Sequence, residues 1–368
     1  MKRWIGLALS VGLLFCLCGC NTTPLKEKLI VQGIGVDVAQ EDFLVTVQVY
    51  SPSADNTASS ESQLFSAQGK TVFEALRLID ENVGKYSYYS DADVIVFSVD
   101  ALKRGLWKNL EFFIRSSEIG SNVPLAATEG KAADLFLMEK EGNNMPSQVL
   151  ANALHYGKSD ISAISGELMT VGATLLTKQG DVSLPVVKLN QKENKSYLLL
   201  DGVLMFQGDT PCGHLGQEDL WAYNWLNGYF DDRGFVLPYE GVTYSLIIRK
   251  CKPTFTATLR QGAPHISVKL ELTCDLMESD SPTGMDEISL QGLEQAVQKR
   301  VEQLTLATLQ KVVCENKSDV FRLERVLKQQ QPAFFKTLKD PKAVMAEYTF
   351  DCDATVRFAR AGQGRSRG

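Results

Sequence analysis

Three cysteines near the start of the chain are close enough together to act as one chemical group. Cys16, Cys18 and Cys20 fall within the stretch LLFCLCGCN. Thiols at this spacing are typical of a metal site, of a disulfide or of a covalent modification. A metal site needs thiolates held in a polar, shaped pocket, whereas these cysteines lie in an apolar segment. Their surroundings therefore favour modification over metal binding.

The flanking residues give this stretch the form of a lipoprotein leader. Lys2 and Arg3 supply a positive start, and the apolar run over residues 4–17 is shorter than the roughly 20 residues that a membrane-spanning helix needs. A run of this kind after a short positive segment is typical of a secretory signal peptide. The sequence LCGC at positions 17–20 then follows the aliphatic-small-small-Cys pattern of a bacterial lipobox.

The lipobox predicts a different fate for each cysteine. The Cys20 thiol takes a diacylglyceryl group, and the chain is cut just before it. Residues 1–19 are then the signal peptide, and Cys16 and Cys18 leave with it. No second apolar run of about 18 residues follows, so the body of the protein is expected outside the bilayer, anchored by the lipid on Cys20. Two acyl chains on one residue suffice for stable anchoring.

Charge and length limit the classes of partner and fold. The net charge is −6, and loss of Lys2 and Arg3 with the leader takes the mature chain to −8. A mildly acidic chain lacks the basic patch that phosphate contacts demand, so no nucleic-acid partner is expected. The rest of the chain is long enough for two or three domains. Residues 359–368 are basic and glycine-containing, and they are predicted to be a disordered tail.

The cysteines beyond Cys20 are odd in number, so at least one of them is unpaired within the chain. Their wide spacing is unlike a disulfide scaffold, and most are predicted to be small buried hydrophobes. Cys251 and Cys274 lie on strand-like segments, and the sequence leaves open whether they pair. The five residues are Cys212, Cys251, Cys274, Cys314 and Cys352.

Two glycine-containing stretches resemble phosphate-binding loops but lack the required residues. The sequence GIG at positions 33–35 matches the start of a dinucleotide fingerprint, yet the third glycine position is Val38 and a second strand follows instead of a helix. The sequence GKT at positions 69–71 resembles the end of a P-loop, whose first glycine position is Leu64 here. Closely packed small residues and a helix N-cap at Thr71 explain the two stretches better.

The histidines do not form a recognisable catalytic or metal-binding set. The chain has three, His155, His214 and His265. Cys212 and His214 offer two metal ligands, but no second pair lies at a plausible spacing. His265 falls on the polar face of its strand and is predicted to be solvent-exposed. The H-E-x-x-H and G-x-S-x-G motifs are absent, so no catalytic residue, cofactor or metal site is predicted, while a triad built from distant residues stays open.

The first half of the chain alternates strands with helices. Residues 29–38 and 43–50 are predicted to form a hairpin with one strongly apolar face. Residues 71–84 are the clearest helix, opened by a capping box of Thr71 and Glu74. Its predicted buried stripe is Val72, Phe73, Leu76, Ile79 and Val83. A second helix over residues 101–116 is predicted to bury Leu102, Leu106, Leu110 and Phe113. The other predicted elements are strands at 91–98 and 121–128 and helices at 131–138 and 147–156.

The second half is richer in strands. A domain boundary is predicted near Glu193, which gives domains over residues 20–193 and 194–358. The predicted elements are strand runs within 196–209 and 243–279, helices at 289–314 and 319–328, and a final strand at 346–358. The sequence therefore predicts an α+β, multidomain protein whose mixed or antiparallel sheets are packed with helices.

Several of these segments, in this order, resemble those of one family. They are the lipobox, LIVQGIGVDV, GKTVFEALRLIDENVGKYSYYSDADVIVFS, LEFFIRSSEIGSNVPLAATEGKAADLF, LLLDGVLMFQGD and the helix that begins LEQAVQKRVEQL. Asp201, Gly202 and Phe206 fall where the family's strand-turn-strand opening would place them. The family is that of the Ger(x)C spore germination lipoproteins, the C subunits of nutrient germinant receptors, and the resemblance covers nearly the whole mature chain.

The resemblance implies a role and not a reaction. It implies a three-domain α+β architecture and no enzymatic activity. The resemblance also implies that the protein forms a complex with an integral-membrane A subunit and a polytopic B subunit. This complex would lie at the outer face of the cytoplasmic membrane, which becomes the spore inner membrane. The complex would respond to small nutrients, and whether this subunit contacts the nutrient is left open. Two alternative classes of protein are left open, an extracytoplasmic solute-binding lipoprotein and a surface-anchored hydrolase.

Overall fold

The computed structural model describes residues 24, 27–51, 61–138, 145–156, 166–192, 195–228, 234–280 and 287–360. Within these ranges the chain forms a nine-stranded and a four-stranded sheet, each covered by helices. The predicted α+β, multidomain class with mixed sheets is confirmed, although the described residues make two domains where the resemblance implied three. No helix in the described ranges has the length and apolar character needed to cross a membrane.

The nine-stranded sheet is parallel at its centre and antiparallel at both ends. Its strands are β1 (Lys28–Ala39), β2 (Asp42–Ser51), β3 (Glu61–Gly69), β4 (Tyr86–Tyr88), β5 (Val94–Ser98), β6 (Leu125–Thr128), β7 (Ser183–Lys192), β8 (Lys195–Gln207) and β9 (Thr210–Leu215). Their order is β3-β2-β1-β5-β6-β7-β8-β9, with β4 paired to β1. The pairs from β1 through β5 and β6 to β7 are parallel, and the two ends are antiparallel hairpins.

Helices cover both faces of this sheet. They are α1 (Val72–Val83), α2 (Val99–Leu102), α3 (Leu106–Arg115), α4 (Ala132–Leu135), α5 (Pro146–Tyr156) and α6 (Leu168–Thr177). Side chains of α1, α3 and α6 belong to the core on one face, and those of α4 and α5 belong to the core on the other. A central strand between two such layers is apolar throughout, and all five residues of β5 are buried.

The start of helix α1 confirms the predicted capping box. The backbone N–H of Glu74 donates to Thr71 Oγ1 at 3.1 Å, and the Glu74 carboxylate accepts from the backbone N–H of Lys70 at 2.6 Å. Thr71 therefore caps a helix and has no phosphate loop around it. The predicted stripe is wrong at Phe73, which is 54% exposed, because Ala75 takes its place against the sheet.

The helix predicted over residues 101–116 is broken into α2 and α3, although its four predicted core leucine and phenylalanine positions are all buried. Gly105 separates the helices with a φ of 112°, a conformation that favours glycine. Asp209, from the turn between β8 and β9, then caps α3. Its carboxylate accepts the Trp107 N–H at 2.5 Å and its carbonyl accepts the Leu106 N–H at 2.9 Å.

The second domain packs a long helix on a four-stranded sheet of order β10-β11-β12-β13. Its elements are α7 (Gln217–Leu226), β10 (Phe235–Tyr239), β11 (Val242–Arg260), β12 (Ala263–Ser279), α8 (Glu287–Leu309), a π-helical turn (Gln310–Glu315), α9 (Leu323–Gln330), α10 (Pro332–Phe335) and β13 (Thr349–Arg360). The sheet is mixed, because β13 runs parallel to β12. The helix predicted at 289–314 is confirmed by α8 and the π-helical turn, and Leu293, Val297 and Val301, which lie on one face of α8, are buried as an apolar stripe.

Strand β8 joins the two domains. Its successive side chains point to opposite faces, so Leu204 and Phe206 enter the core of the first domain while Val203 and Met205 enter the core of the second. The predicted boundary residue Glu193 lies outside the described residues, between the paired strands β7 and β8. The two cores therefore meet at a shared strand.

Candidate functional site

The predicted lipidation site, Cys20, lies outside the described residues, as do residues 1–19 and the end of the predicted tail, 361–368. Lipidation of Cys20 therefore stays a prediction. Strand β1 begins eight residues after Cys20 and pairs with β2, β4 and β5. A lipid at Cys20 would thus be connected directly to an interior strand of the first domain.

The glycines of the GIG stretch serve packing, as the sequence predicted. A Cβ atom on Gly33 would lie 2.5 Å from the ring of Phe136, and one on Gly35 would lie 3.1 Å from the same ring. Asp37, two residues further along β1, accepts the backbone N–H groups of Ala132 and Ala133 at 2.8 and 3.1 Å. The space that a dinucleotide phosphate would need is therefore filled by α4 and Phe136.

His214 lies in a cluster of charged side chains at the edge of the first sheet. Glu129, Asp201 and His214 place one ligand atom each within 4.8 Å of one another, while Cys212 is not part of this group. Lys188 Nζ lies 2.6 Å from the Asp201 carboxylate and 2.8 Å from that of Glu129. Hydrogen bonds to these carboxylates raise the pKa of Lys188. The Lys188 ammonium group thus already lies between the two carboxylates that a metal ion would need as ligands.

The prediction that His265 is solvent-exposed is wrong. Its side chain is 2% exposed, because β13 pairs with β12 directly beside it. Its Nδ1 is 2.7 Å from Thr349 Oγ1 and its Nε2 is 2.8 Å from Asp351 Oδ2. Partial burial opposes ionisation of Asp351, but hydrogen bonds from Ser267 and His265 hold its pKa below the ordinary value.

This threonine, histidine and aspartate resemble a catalytic triad only in composition. In a hydrolytic triad the imidazole Nε2 serves the nucleophile and Nδ1 binds the carboxylate, whereas here the two nitrogens have the opposite partners. Arg260 also binds the Asp351 carboxylate at 3.0 Å. The group is best described as a tie between β12 and β13, so it gives the hydrolase alternative no support.

His155 lies at a polar cavity of about 540 Å³ in the first domain, which Asp93, Asn122, Gln148 and Asn152 also line. Burial raises the pKa of Asp93 to about 6, although Ser147 Oγ donates to its carboxylate at 3.3 Å. A carboxylate among amide groups suits a small polar solute with a cationic or hydroxyl group. The sequence had singled out only His155 in this region, since the other residues carry no motif.

A buried cluster of charges, here called the domain latch, connects the two domains. It consists of Asp181, Asp319 and Lys342. The Asp181 side chain is 1% exposed and pairs with the ammonium of Lys342. Its carboxylate also accepts the N–H groups of Gly208 and Asp319 at 2.7 and 2.8 Å. One side chain of the first domain thus binds two segments of the second.

Asp319 extends the latch into helix α9. Its carboxylate accepts the backbone N–H of Leu323 at 2.6 Å, and its own backbone C=O accepts the N–H of Asp181 at 3.2 Å. Ser318 Oγ donates to the Phe206 carbonyl at 2.7 Å, which connects the same segment to strand β8. Of these residues, the sequence resemblance extends only to the Ser318-Asp319 turn after the long helix, and no motif marks Asp181.

We expect Asp319→Asn to change how stability depends on pH. Burial outweighs the hydrogen bonds to the helix and raises the pKa of Asp319 from 3.8 to about 7. Between these values the folded state holds a proton that the unfolded state releases, so this group makes stability fall as pH rises. Asparagine cannot ionise, so the variant should gain up to about 4 kcal/mol relative to the wild type across this range.

Urea unfolding of both proteins at several pH values between about 4 and 8 measures this difference. Glu315→Gln is the matched control, because it removes an exposed carboxyl in the same region and leaves the buried Asp319 in place. If the free energy of unfolding depends on pH in the same way for Asp319→Asn and the wild type, the raised pKa of Asp319 is contradicted.

The five described cysteines are all free thiols, which answers the question left open for Cys251 and Cys274. Burial raises the pKa of Cys212 to about 11 and that of Cys251, Cys274 and Cys352 to about 12. The thiolate is the nucleophilic form of cysteine. Cys274 and Cys314 are buried, and the other three, which were also expected to be mostly buried, are only partly buried against the core of the second domain. These thiols are therefore packing residues and poor candidates for nucleophilic catalysis.

The described structure is that of a two-domain α+β protein with a shared strand, a buried latch and tightly paired polar groups. Comparisons with known proteins agree with this class. A model of the spore germination protein N-terminal domain matches residues 21–189, and a model described as spore germination B3/GerAC like, C-terminal, matches residues 201–362. The chain belongs to the Ger(x)C family of spore germination proteins.

Individual relatives support the same assignment. Spore germination protein B3 of Bacillus subtilis (strain 168) is 22% identical, over 98% of this chain and 99% of its own length. The crystal structure of the GerBC protein superposes with a TM-score of 0.57 at 18% identity, covering 89% of this chain and 97% of that one. At that identity the structural match concerns the fold alone.

Proposed function

We propose that this protein is a lipid-anchored, non-catalytic subunit of a nutrient germinant receptor. It acts on the outer face of the cytoplasmic membrane, which becomes the spore inner membrane, through contacts with integral-membrane A and B subunits. The observation that carries the proposal is the order of features along the chain. A lipobox ending at Cys20 is followed at once by the two family domains over residues 21–189 and 201–362.

Such a subunit contributes by being held at the membrane surface, close to its partners. An anchor confines the protein to two dimensions, which raises its effective concentration near membrane partners. The shared strand β8 and the domain latch connect the two domains by packing and by hydrogen bonds.

The anchor is tested by Cys20→Ala in a strain that lacks the A and B subunits. We expect the wild-type chain in the membrane fraction and the variant in the soluble fraction, because the diacylglyceryl group is the membrane attachment. Cys16→Ala is the matched control, since Cys16 would be removed with the signal peptide, and it should stay membrane-bound. Retention of the Cys20→Ala chain in membranes would contradict the anchor.

The receptor role has a separate test. Deletion of the gene in a sporulating host should slow germination in response to nutrients and leave sporulation intact. The A and B subunits should co-purify with a tagged chain from solubilised membranes. Normal responses to every nutrient in a strain without parallel receptors would contradict the role.

The second candidate, a solute-binding lipoprotein, gains some support from the cavity at Asp93. Solute-binding proteins are expected to have two similar α/β lobes, whereas the two described domains differ in sheet size and strand order. Neighbouring genes for an ABC permease and ATPase would favour this candidate, and genes for two membrane subunits would favour the receptor.

A further inference from the structure

One surface of the first domain combines exposed aromatic rings with an excess of positive charge. It consists of two adjoining depressions of about 630 and 810 Å³ between helices α1 and α3, and both are lined by Phe73, Phe112 and Arg115. This surface is called the α1–α3 groove below. We infer that the α1–α3 groove is a membrane-contact surface that binds anionic phospholipid headgroups, an inference that rests on the proposed lipid anchor.

The apolar part of the groove is unusual for a surface. Phe73 is 54% exposed, and its ring centroid lies 5.7 Å from that of Phe112. Tyr86, at the edge strand β4, is 61% exposed in the same depression. More than half of the Phe73 and Tyr86 side chains is therefore left exposed by the residues that the structure describes. Aromatic side chains in this position are typical of the boundary between water and a bilayer.

The charge of the groove is opposite to that of the chain. Two of its cations, Arg77 and Arg115, are neutralised by ion pairs with Asp80 and Glu111. The other lining charges are the cations Lys28, Lys70, Arg104 and Lys108 and the carboxylates Glu41 and Glu118. A positive surplus therefore remains here in a chain whose net charge is −6. Such a surplus attracts an anionic lipid surface.

The start of the chain emerges at this surface. Lys28 is the first residue of β1, and its Nζ lies 4.5 Å from the centre of the Tyr88 ring, which also lines the groove. The eight steps from Cys20 to Lys28 span at most about 28 Å when fully extended. A lipid on Cys20 would therefore keep Lys28, at one end of the α1–α3 groove, within that distance of the bilayer. This connection favours a lipid surface over an unrelated partner.

The test uses the full mature chain with Cys20→Ala, so that any binding comes from the protein surface. The protein is sedimented with vesicles of phosphatidylcholine alone and with vesicles that contain phosphatidylglycerol in addition. We expect binding to the anionic vesicles only, and weaker binding as salt is added. The double variant Lys70→Glu/Lys108→Glu should weaken it at least about tenfold, and Phe73→Ser should weaken it as well.

The matched control is Lys299→Glu/Arg300→Glu, the same charge change on exposed residues of helix α8 in the second domain. It should bind as the unchanged protein does, and circular dichroism checks that all variants are folded. Equal losses in both double variants, or no preference for anionic vesicles, would overturn the inference. If the protein ignores vesicles but binds an acidic peptide of a receptor partner through Lys70 and Lys108, the lipid inference also fails.

Failure of this inference is distinguishable from failure of the proposed anchor. The anchor is measured in cells, by the release of the Cys20→Ala chain from the membrane fraction. The groove is measured on vesicles with a chain that carries no lipid. Each result can be negative while the other is positive.

Discussion

Gly202→Ala is expected to prevent stable folding of the chain. Gly202 has a φ of 112°, and a Cβ atom there would lie 1.9 Å from the carbonyl oxygen of Leu215. The obstacle is backbone, which cannot move aside as a flexible side chain can. Because β9 pairs with β8 at Val203 and Leu215, relief of the clash would separate the two strands. We expect a loss of more than about 4 kcal/mol, which is exceptional for one substitution.

Soluble yield and urea unfolding of the mature Cys20→Ala chain measure this effect. Gly208→Ala is the matched control in the turn of the same hairpin. It also has a positive φ, 60°, but no atom lies within 4 Å of the added Cβ. The control should cost about 1 kcal/mol, which is the cost of the left-handed conformation alone. Similar unfolding midpoints for the two variants would show that the close approach at Gly202 is not limiting.

Asp181→Ala is expected to weaken the junction between the domains by about 3–5 kcal/mol. The change removes the carboxylate that pairs with Lys342 and leaves the N–H groups of Gly208 and Asp319 without their acceptor. The loss is large because the side chain is 1% exposed and water cannot replace it. Asp181→Asn, which keeps one acceptor oxygen, should lose less.

Urea unfolding followed by circular dichroism gives the free energies. Asp100→Ala is the control, because Asp100 also pairs with a lysine, Lys103, but the two side chains are 68% and 64% exposed. An exposed pair contributes at most about 1 kcal/mol. Equal effects at Asp181 and Asp100 would refute the role of the latch. A broader, two-step transition in Asp181→Ala would show in addition that the domains unfold separately without it.

Several helices and strands could be predicted from the sequence because they are determined by residues close together along the chain. The capping box at Thr71 and Glu74, the alternation in β2 and the stripe of α8 all depend on residues that are near one another along the chain. Strand β3 and helix α6 were missed. Strand β3 is a polar edge strand, with the sequence ESQLFSAQG, and its serines and glutamines give no apolar alternation. Helices α2 and α3, on either side of Gly105, were predicted as one helix. The reason is that Asp209, which caps the start of α3, comes from another part of the chain.

The sequence by itself indicated the α+β order of elements and the resemblance to the Ger(x)C family, and it predicted a signal peptide and a lipobox ending at Cys20, which stay predictions. Only the tertiary structure decided which polar groups meet. It buried His265 against β13, placed Lys188 between two carboxylates, exposed Phe73 beside Phe112 and joined Asp181 to Asp319 and Lys342. The physical reason is that periodicity and capping act over one or two turns. Pairing between residues on different elements, such as Asp181 and Asp319, which are 138 positions apart, depends on which elements pack together.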